Sequence, residues 1–385
     1  MAFGTPGRTA SKIPARPPTM TRMSVIRIGI IGSGGIALAN HMPGFRLCPE
    51  ARVVALCDSD PATLARASQQ TGVTATFTDY RQLLDKADVD AVVIATPNVF
   101  HAPIAHAAIE RKKHVLCEKP IAMNLQEALG MWRAAEAAGV RHMTAFTYRF
   151  VPAMRYMSHL VHSGAIGRPF HFRASRFQDW GSRNLGWRQV KKLAATGELG
   201  DMLSHRIDYG HLLVGPVARL VARTKRFIDN RQGAPSDLDD WVAIIADYES
   251  GTTGVLESTK LASGRGEGHY GQDLAEVNGS EGTIAYSTQR PMELRIGKLG
   301  AKDLETVAVP REFWVYPGSP RDPTQGDPLV TFRYDQDYEF YEAIRQRRPC
   351  RPSFEDGARA QAVMDAAVQS DAEGRWVEVP KVAQH

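Results

Sequence analysis

The chain has 385 residues, of which 43% are hydrophobic and 23% are charged, and its formal net charge is +5 at pH 7. A single hydrophobic core stops growing at roughly 250–300 residues, so this length predicts two domains rather than one. The first 24 residues hold four basic residues and no acid, so the rest is nearly neutral, which excludes the basic face of a nucleic-acid-binding domain.

Residues 1–24 are predicted to form a disordered tail outside the folded domains. They are rich in Pro, Ser, Thr and Gly, and they lack the continuous apolar stretch of a secretory signal peptide. Met20 or Met23 could be the true start of the protein.

Sequence features also bear on membranes, metals and cellular location. No window approaches 18 uninterrupted apolar residues, so no membrane-spanning helix is expected. The four cysteines lie far apart without a CxxC pair, which predicts no disulfide framework and favours the reducing cytoplasm. His101, His106, His114 and Cys117 fall on separate predicted elements without an acid to complete a ligand set, so no metal is expected.

Residues 25–148 alternate short apolar runs with helical patterns. The runs predicted as strands span residues 26–31, 53–58, 91–95, 114–117 and 142–145. The segments predicted as helices span residues 36–47, 62–71, 103–111 and 125–138. Strands that alternate with helices in this way indicate βαβ units and a parallel sheet.

The pattern changes after this region, and residues 149–385 are predicted to form a second domain. Helices are expected at residues 152–163 and 202–213, and strands at 218–228, 241–248, 253–261, 274–278 and 282–286. Strands that follow one another with turn residues between them indicate antiparallel pairing. Residues 287–330 are predicted mostly as loop, and two helices at 332–345 and 354–370 close the chain.

A glycine-rich turn follows the first predicted strand and opens the first predicted helix. It reads Gly32-Ser33-Gly34-Gly35-Ile36-Ala37. The glycines permit close approach of the backbone to a pyrophosphate, and the helix N-terminus attracts its negative charge. Asp58 ends the second predicted strand, where its carboxylate can accept hydrogen bonds from the adenosine ribose and repels a 2′-phosphate. The pattern therefore predicts a Rossmann domain that binds NAD in preference to NADP.

Three further motifs accompany this turn. In chain order they are Ala95-Thr96-Pro97-Asn98-Val99-Phe100-His101, Cys117-Glu118-Lys119-Pro120 and Gly200-Asp201-Met202-Leu203-Ser204-His205-Arg206-Ile207-Asp208. Together with the glycine turn, they resemble the Gfo/Idh/MocA family of sugar and inositol oxidoreductases. The resemblance implies an N-terminal Rossmann domain and a C-terminal α/β domain with an open, mainly antiparallel sheet. It also implies a homodimer or homotetramer that pairs through the exposed sheet face.

The resemblance implies chemical roles for Lys119, Asp201 and His205. Removing a hydride from a carbinol carbon requires a base for the hydroxyl proton and a positive field at the developing oxyanion. Lys119 is expected to supply that field or relay the proton, and His205 to act as the general base or acid. Asp201 and His205 are four residues apart, so on one helix face the carboxylate could orient the imidazole. The Lys119–Pro120 peptide is expected to be cis or sharply turned.

Other positions match cofactor or substrate contacts of the family. The cofactor contacts are expected at Gly32, Ser33, Gly34, Gly35, Ile36, Asp58, Thr96, Pro97, Asn98, His101, Glu118, Lys119, Arg149, Trp187 and Arg188. The substrate contacts are expected at Lys119, Tyr148, Arg176, Lys191, Lys192, Thr196, Asp201 and His205.

Positive residues gather in the sequence before the expected base. They are Arg173, Arg176, Arg183, Lys191 and Lys192. A cleft lined with one sign of charge recruits the opposite sign, so this stretch is either a pocket for an anionic sugar or a solvated helix turn. The segment from Lys191 to Thr196 is similar to that of NAD-dependent sulfoquinovosidases, which oxidise a sugar transiently, release the glycosidic substituent, add water and return the hydride.

Three functions are therefore open. The first is oxidoreductive hydrolysis of an anionic glycoside, with NAD recycled, and the second is simple oxidation of a sugar or inositol. The third, of another class, is a non-catalytic NAD-binding regulator. Lys119, Asp201 and His205 are all intact, which weighs against the regulator because sensing requires no base. The hydride-transfer residues do not separate the first two.

We expect the chain to bind NAD more tightly than NADP, and we expect Asp58→Ala to narrow that difference. The reason is that the substitution removes the carboxylate that repels the 2′-phosphate of NADP. Titration calorimetry with both dinucleotides measures the effect. Equal affinities in the unchanged protein would contradict the assignment of Asp58.

Overall fold

A computed structural model describes residues 25–268 and 271–382, so the predicted tail at residues 1–24 lies outside the described residues. The chain forms an α/β domain with a parallel sheet, followed by an α/β domain with a mainly antiparallel sheet. The predicted fold class is thereby confirmed. Within the described residues, no helix has the length and apolar character needed to cross a bilayer.

The first domain is built on a six-stranded parallel sheet. Its strands are β1 (Ile26–Ile31), β2 (Ala51–Cys57), β3 (Thr76–Phe77), β4 (Ala91–Ile94), β5 (His114–Cys117) and β6 (His142–Thr144). Its helices are α1 (Met42–Leu47), α2 (Pro61–Thr71), α3 (Tyr80–Lys86), α4 (His101–Glu110) and α5 (Leu125–Ala138). The strand order is β3-β2-β1-β4-β5-β6, so the order reverses between β1 and β4. Ligands of such sheets bind at the carboxyl ends of the strands beside this reversal.

The first domain departs from the predictions in two places. The short strand β3 and the helix α3 were not predicted, because two strand residues are too few to show a period. The predicted helix at residues 36–47 is present, but Ala37–His41 forms a π-helical turn before α1.

The second domain contains a nine-stranded sheet and a small hairpin. The remaining strands are β7 (Pro169–Phe177), β8 (Val217–Lys225), β9 (Asn230–Arg231), β10 (Ala234–Pro235), β11 (Trp241–Tyr248), β12 (Thr253–Thr259), β13 (Gln272–Gly279), β14 (Gly282–Ser287), β15 (Glu293–Lys298), β16 (Glu305–Ala308) and β17 (Val377–Glu378). The sheet order is β16-β15-β14-β13-β7-β12-β11-β8-β17, while β9 and β10 form the hairpin. The pairing of β7 with β12 is parallel, and the other pairings in this sheet are antiparallel.

The helices of the second half pack on one face of this sheet or against the first domain. They are α6 (Pro152–His162), α7 (Lys191–Ala194), α8 (Ser204–Val214), α9 (Pro328–Thr331), α10 (Tyr334–Arg345) and α11 (Phe354–Glu373). Helix α8 contacts β7 and α11, and α10 contacts α1. The boundary at residue 148 stays a prediction, because α10 and α11 contact both domains.

Strand β7 lies in the middle of the second sheet, and the sequence did not predict it. Its buried side chains are Phe172, Ala174 and Arg176, so a buried arginine interrupts the apolar alternation. His171 and Arg173 are exposed on the other face. Strands β15 and β16 likewise correct the prediction of mostly loop over residues 287–330.

The N-terminus of α11 joins the closing helix to the first domain. Ser353 caps this helix in a capping box, and Phe354 is buried in the core of the first domain. The rings of Phe354 and His142 lie 4.9 Å apart, between centroids. His142 Nδ1 also accepts a hydrogen bond from the Phe354 main-chain N–H at 3.1 Å. These contacts bring the end of the chain back to β6.

Candidate active site

A cleft of about 490 Å³ lies between the carboxyl ends of the first sheet and the second domain. Loops that follow β1, β4, β5 and β6 form one wall, and residues from β7 and α8 contribute to the other. The predicted site residues that line it are Gly34, Gly35, Ile36, Thr96, Asn98, Glu118, Lys119, Tyr148, Arg176, Trp187, Arg188, Asp201 and His205. The structure therefore brings most of the predicted site together.

The glycine turn forms one end of this cleft and leaves room beside its backbone. A Cβ atom on Gly34 or Gly35 would meet nothing within 4 Å. Gly32 has a φ of 92°, and a Cβ atom there would lie 2.5 Å from the carbonyl of Ala95. Asp58, half-buried at the end of β2, accepts a hydrogen bond from the Ser33 main-chain N–H at 2.9 Å. Gly32 is thus required for the turn, and the two later glycines leave space for a ligand.

Buried polar atoms without partners mark the same end of the cleft. Asn40 Oδ1, Thr96 Oγ1 and Asn98 Oδ1 have no hydrogen-bond partner in the described parts of the chain. All three residues line the cleft. Because buried polar groups are nearly always paired, these oxygens fit a polar ligand that lies along the turn. The residues present therefore fit a dinucleotide.

Lys119 reaches across the cleft from the end of β5. Its peptide bond to Pro120 is cis, as expected. Its Nζ donates hydrogen bonds to the main-chain oxygen of Asp201 at 2.5 Å and to Oδ1 at 3.2 Å. Burial raises the pKa of Asp201, but the charges of Lys119 and Arg188 outweigh it and leave this pKa below its usual value. Asp201 is therefore a carboxylate that holds the lysine ammonium in place.

The expected hydrogen bond between Asp201 and His205 is not formed. Asp201 Oδ2 and His205 Nδ1 are buried and each lacks a hydrogen-bond partner among the described residues. Asp201 belongs to the π-helical turn Leu199–Leu203, whereas His205 belongs to α8. The four-residue spacing of a regular α-helix therefore does not apply across this junction.

His205 is surrounded by aromatic rings and positive charges. The centroid of its ring lies 6.0 Å from that of Phe146 and 4.6 Å from that of Tyr148. Burial and the nearby cations lower the pKa of His205 well below its usual value. These cations are Lys119, Arg206, Arg333 and Arg176. The imidazole is therefore neutral at pH 7 and able to accept a proton.

The Trp187–Arg188 pair also faces Asp201. The guanidinium carbon of Arg188 lies 4.4 Å from the centroid of the Trp187 ring. Arg188 Nε lies 3.7 Å from Asp201 Oδ1, the oxygen that also accepts from Lys119, so two cations lie near this carboxylate. Both members of the pair line the cleft.

Two predicted cofactor contacts are instead engaged with the protein framework. The ring nitrogens of His101 lie 2.9 Å from the Thr96 carbonyl oxygen and 2.8 Å from that of Pro120. Arg149 forms an ion pair with Asp208 at 2.5 Å. Neither side chain lines the cleft, and Gly32, Ser33, Asp58 and Pro97 lie beside it rather than along its surface.

Lys191, Lys192 and Thr196 do not line the cleft either. Both lysines are exposed on the short helix α7, which contacts the first domain through the Ala194 carbonyl oxygen. Arg173 is also outside, because its side chain lies on the opposite face of β7 from Arg176. Two of the five positive residues, Arg176 and Arg183, therefore line the cleft, and a substrate role for the lysines stays a prediction.

Several lining residues were not expected from the sequence. Gln178 and Trp180 continue the alternation of Arg176 beyond the end of β7, so recognition of this strand would have predicted them. Arg333 lies just before α10, and no nearby motif indicated it. Across residues 25–268 and 271–382, no cluster of three or more His, Cys, Asp and Glu side chains could hold a metal ion.

Two family models match the chain. Residues 26–146 match the model described as an oxidoreductase family with an NAD-binding Rossmann fold, and residues 154–285 match the GFO/IDH/MocA C-terminal domain. The chain belongs to the Gfo/Idh/MocA family. The predicted family is confirmed, and so is NAD as the cofactor of the first domain.

Relatives of known activity match this family member along most of its length. It is 32% identical over 397 residues to a levoglucosan dehydrogenase of Pseudarthrobacter phenanthrenivorans, covering 94% of this chain and 100% of the relative. A D-apiose dehydrogenase of Paraburkholderia graminis is 29% identical, covering 94% and 92%. A solved levoglucosan dehydrogenase in complex with NADH and levoglucosan superposes with a TM-score of 0.85 and 31% identity, covering 93% and 100%.

We expect Lys119→Met and His205→Asn to lower kcat by about 10²–10⁴-fold, the range for general acid–base groups. The Kd for NAD should stay within about threefold of that of the unchanged protein, because neither side chain shapes the glycine turn.

The lowered pKa of His205 predicts the pH dependence of the reaction. The acidic limb of the kcat/KM profile for oxidation should fall below pH 6.5, the usual pKa of a histidine.

Lys302→Met is the matched control, because Lys302 is an exposed lysine outside the cleft. It should retain full activity. Turnover is measured by NADH formation and binding by calorimetry. Near-full activity of both cleft variants would show that the assigned roles are wrong.

Proposed function

We propose that this family member is an NAD-dependent dehydrogenase that oxidises a secondary hydroxyl group of a small sugar or polyol. The observation that carries the proposal is a single cleft whose two ends both contain buried polar atoms without hydrogen-bond partners among the described residues. One end fits the dinucleotide, and the other surrounds Lys119 and His205. Levoglucosan and apiose dehydrogenases among the relatives support a sugar as the substrate.

When bound, NAD⁺ supplies the acceptor for the hydride of the carbinol carbon, so that a carbonyl compound, NADH and a proton result. Lys119 Nζ donates hydrogen bonds to two oxygens of Asp201, and an ammonium group has three N–H donors. The remaining donor can bind the substrate hydroxyl oxygen and stabilise it as negative charge develops. The neutral imidazole of His205 accepts the hydroxyl proton. Lys119 and His205 thus supply the field and the base.

The simple dehydrogenase is favoured over the two other functions. Hydrolysis was predicted from the segment that contains Lys191 and Lys192, and both side chains lie outside the cleft. The dehydrogenase activities of the relatives support net oxidation. A regulator would require neither the held ammonium nor the neutral base.

A substrate panel tests the proposal. We expect NADH to accumulate with levoglucosan, D-apiose, D-glucose or myo-inositol, in equal amount to the carbonyl product. Methyl glycosides should release no methanol, because the oxidised sugar leaves the site. Lys119→Met provides the blank. Methanol release without net NADH would instead establish oxidoreductive hydrolysis.

We also propose that the protein is located in the reducing cytoplasm. Cys48, Cys57, Cys117 and Cys350 are all buried free thiols. Disulfides are rare in that compartment, so free thiols support this location.

We also infer a homodimer or homotetramer formed through the outer face of the second sheet. Ile245 of β11 and Val255 of β12 pair across their strands, and each is 51% exposed. Contiguous exposed apolar surface is typical of association sites, so this pair supports a contact on the outer face.

We expect Ile245→Lys to reduce the mass found by sedimentation equilibrium toward that of the monomer, because it places a charge in the apolar contact. Leu299→Lys is the control, since Leu299 is 80% exposed outside that strand pair. A monomeric unchanged protein would contradict the inference.

A further inference from the structure

Three side chains at alternate positions form one wall of the cleft. Arg176 lies in β7, and the chain continues beyond this strand to Gln178 and Trp180, with a bridge between Asp179 and Leu261. Alternate residues of an extended chain share one face. All three side chains therefore line the cleft from the same side. We name this set the donor wall.

The donor wall presents N–H groups without acceptors. Arg176 Nε and Nη1, Gln178 Nε2 and Trp180 Nε1 are buried and have no hydrogen-bond partner among the described residues. Arg176 and Gln178 are each only 2% exposed. The three side chains that line the cleft thus carry four nitrogen atoms that donate and cannot accept.

The orientation of these groups is fixed by their other contacts. Gln178 Oε1 accepts from Arg176 Nη2 at 2.8 Å and from the Gly268 main-chain N–H at 3.1 Å, which identifies Nε2 as the free end of the amide. Arg176 Nη1 lies 3.9 Å from Asp273 Oδ2, and Asp273 is hydrogen-bonded to Arg206 at 2.9 Å. The nearest carboxylate is therefore already engaged by another arginine.

The charges around the cleft point to the same ligand chemistry. Its lining contains the cations Lys119, Arg176, Arg183, Arg188 and Arg333. The acids in the lining are Glu118, Asp201 and Glu267, and each lies within 3.2 Å of a cationic or imidazole nitrogen. A sugar hydroxyl brings a donor of its own, whereas an anion only accepts. The donor wall is therefore better matched by an anion.

We propose that Arg176, Gln178 and Trp180 form a subsite for the carboxylate, sulfate, sulfonate or phosphate group of an acidic sugar. This inference rests on the proposed dehydrogenase function, because the reacting hydroxyl of the same sugar lies at Lys119 and His205. It moves the predicted recognition of an anion from the exposed lysines of α7 to the donor wall.

Matched substrates test the charge preference of the full-length protein with NAD. The set is D-glucose, D-glucuronate, D-glucose 6-sulfate and D-glucose 6-phosphate. We expect kcat/KM for the best anion to exceed that for D-glucose by about tenfold or more, since charge-assisted hydrogen bonds are the strong ones. The three anions also distinguish the possible acidic groups.

Two conservative variants test the wall itself. Gln178→Glu keeps the oxygen that Arg176 and Gly268 use but replaces the free amide donor with a charged oxygen. It should lower kcat/KM for the anion by about 10–100-fold, mostly through KM, and lower kcat/KM for D-glucose by a smaller factor. Trp180→Phe keeps an aromatic side chain and removes the indole N–H donor, so about a 3–10-fold loss in kcat/KM for the anion is expected.

Arg173→Gln is the matched control. It removes a positive charge from the same strand, but on the opposite face. It should therefore leave kcat/KM unchanged for both the anion and D-glucose. Thermal melting of each variant establishes that it is folded. Calorimetry of the NAD complex with D-glucuronate measures binding without turnover.

The outcomes separate the two proposals. If kcat/KM for D-glucose equals that for the anions, and Gln178→Glu lowers both equally, the subsite is wrong and the dehydrogenase stands. If no sugar is oxidised but D-glucuronate binds and Gln178→Glu abolishes binding, the subsite stands and the dehydrogenase fails. If no anion is bound or turned over, the subsite is overturned.

Discussion

The contact on which this site depends is the one between the ammonium of Lys119 and the two oxygens of Asp201. Lys119 lies two residues beyond the end of β5, and Asp201 lies in the second domain, so the contact spans the cleft. It fixes the lysine beside the region where a substrate oxygen would lie. The same positive charge contributes to the low pKa of His205. The lysine held by this ion pair thus provides a positive field and contributes, together with burial and three arginines, to the neutral state of His205.

A second set of buried charges contacts the main chain of Lys119 through Glu118. His41 lies between Asp337 of α10 at 2.7 Å and Glu118 at 3.2 Å. Burial opposes protonation, but the two carboxylates raise the pKa of His41 to about 10, so the ring is positively charged. Glu118 in turn accepts a hydrogen bond from the main-chain N–H of Lys119 at 3.2 Å. Helix α10 is therefore connected to Lys119 through charged hydrogen bonds, which contribute to its packing on the first domain.

The sequence predicted the parts of the site that follow regular strands. Glycine and acidic residues at strand ends revealed the cofactor end, and the order of four motifs revealed Lys119 and His205. It did not predict β7, because a strand with a buried Arg176 lacks the apolar period that identifies strands. The sequence also did not predict the π-helical turn at Asp201, because a local change of helix type leaves no mark in the sequence pattern. Contacts made by Arg333 depend on tertiary packing, which no local pattern reports.

The proposed anion subsite bears directly on the proposed role of His205 as a base. Its imidazole is neutral because burial and four cations oppose protonation, and Arg176 is one of those cations. A negative group bound against Arg176 would offset part of that positive charge, because opposite charges nearby favour the charged form of an ionisable group. The proton affinity of His205 would then rise when substrate is bound and remain low when it is not. A base strengthened by its own substrate would accept the hydroxyl proton only when the reacting carbon is in place.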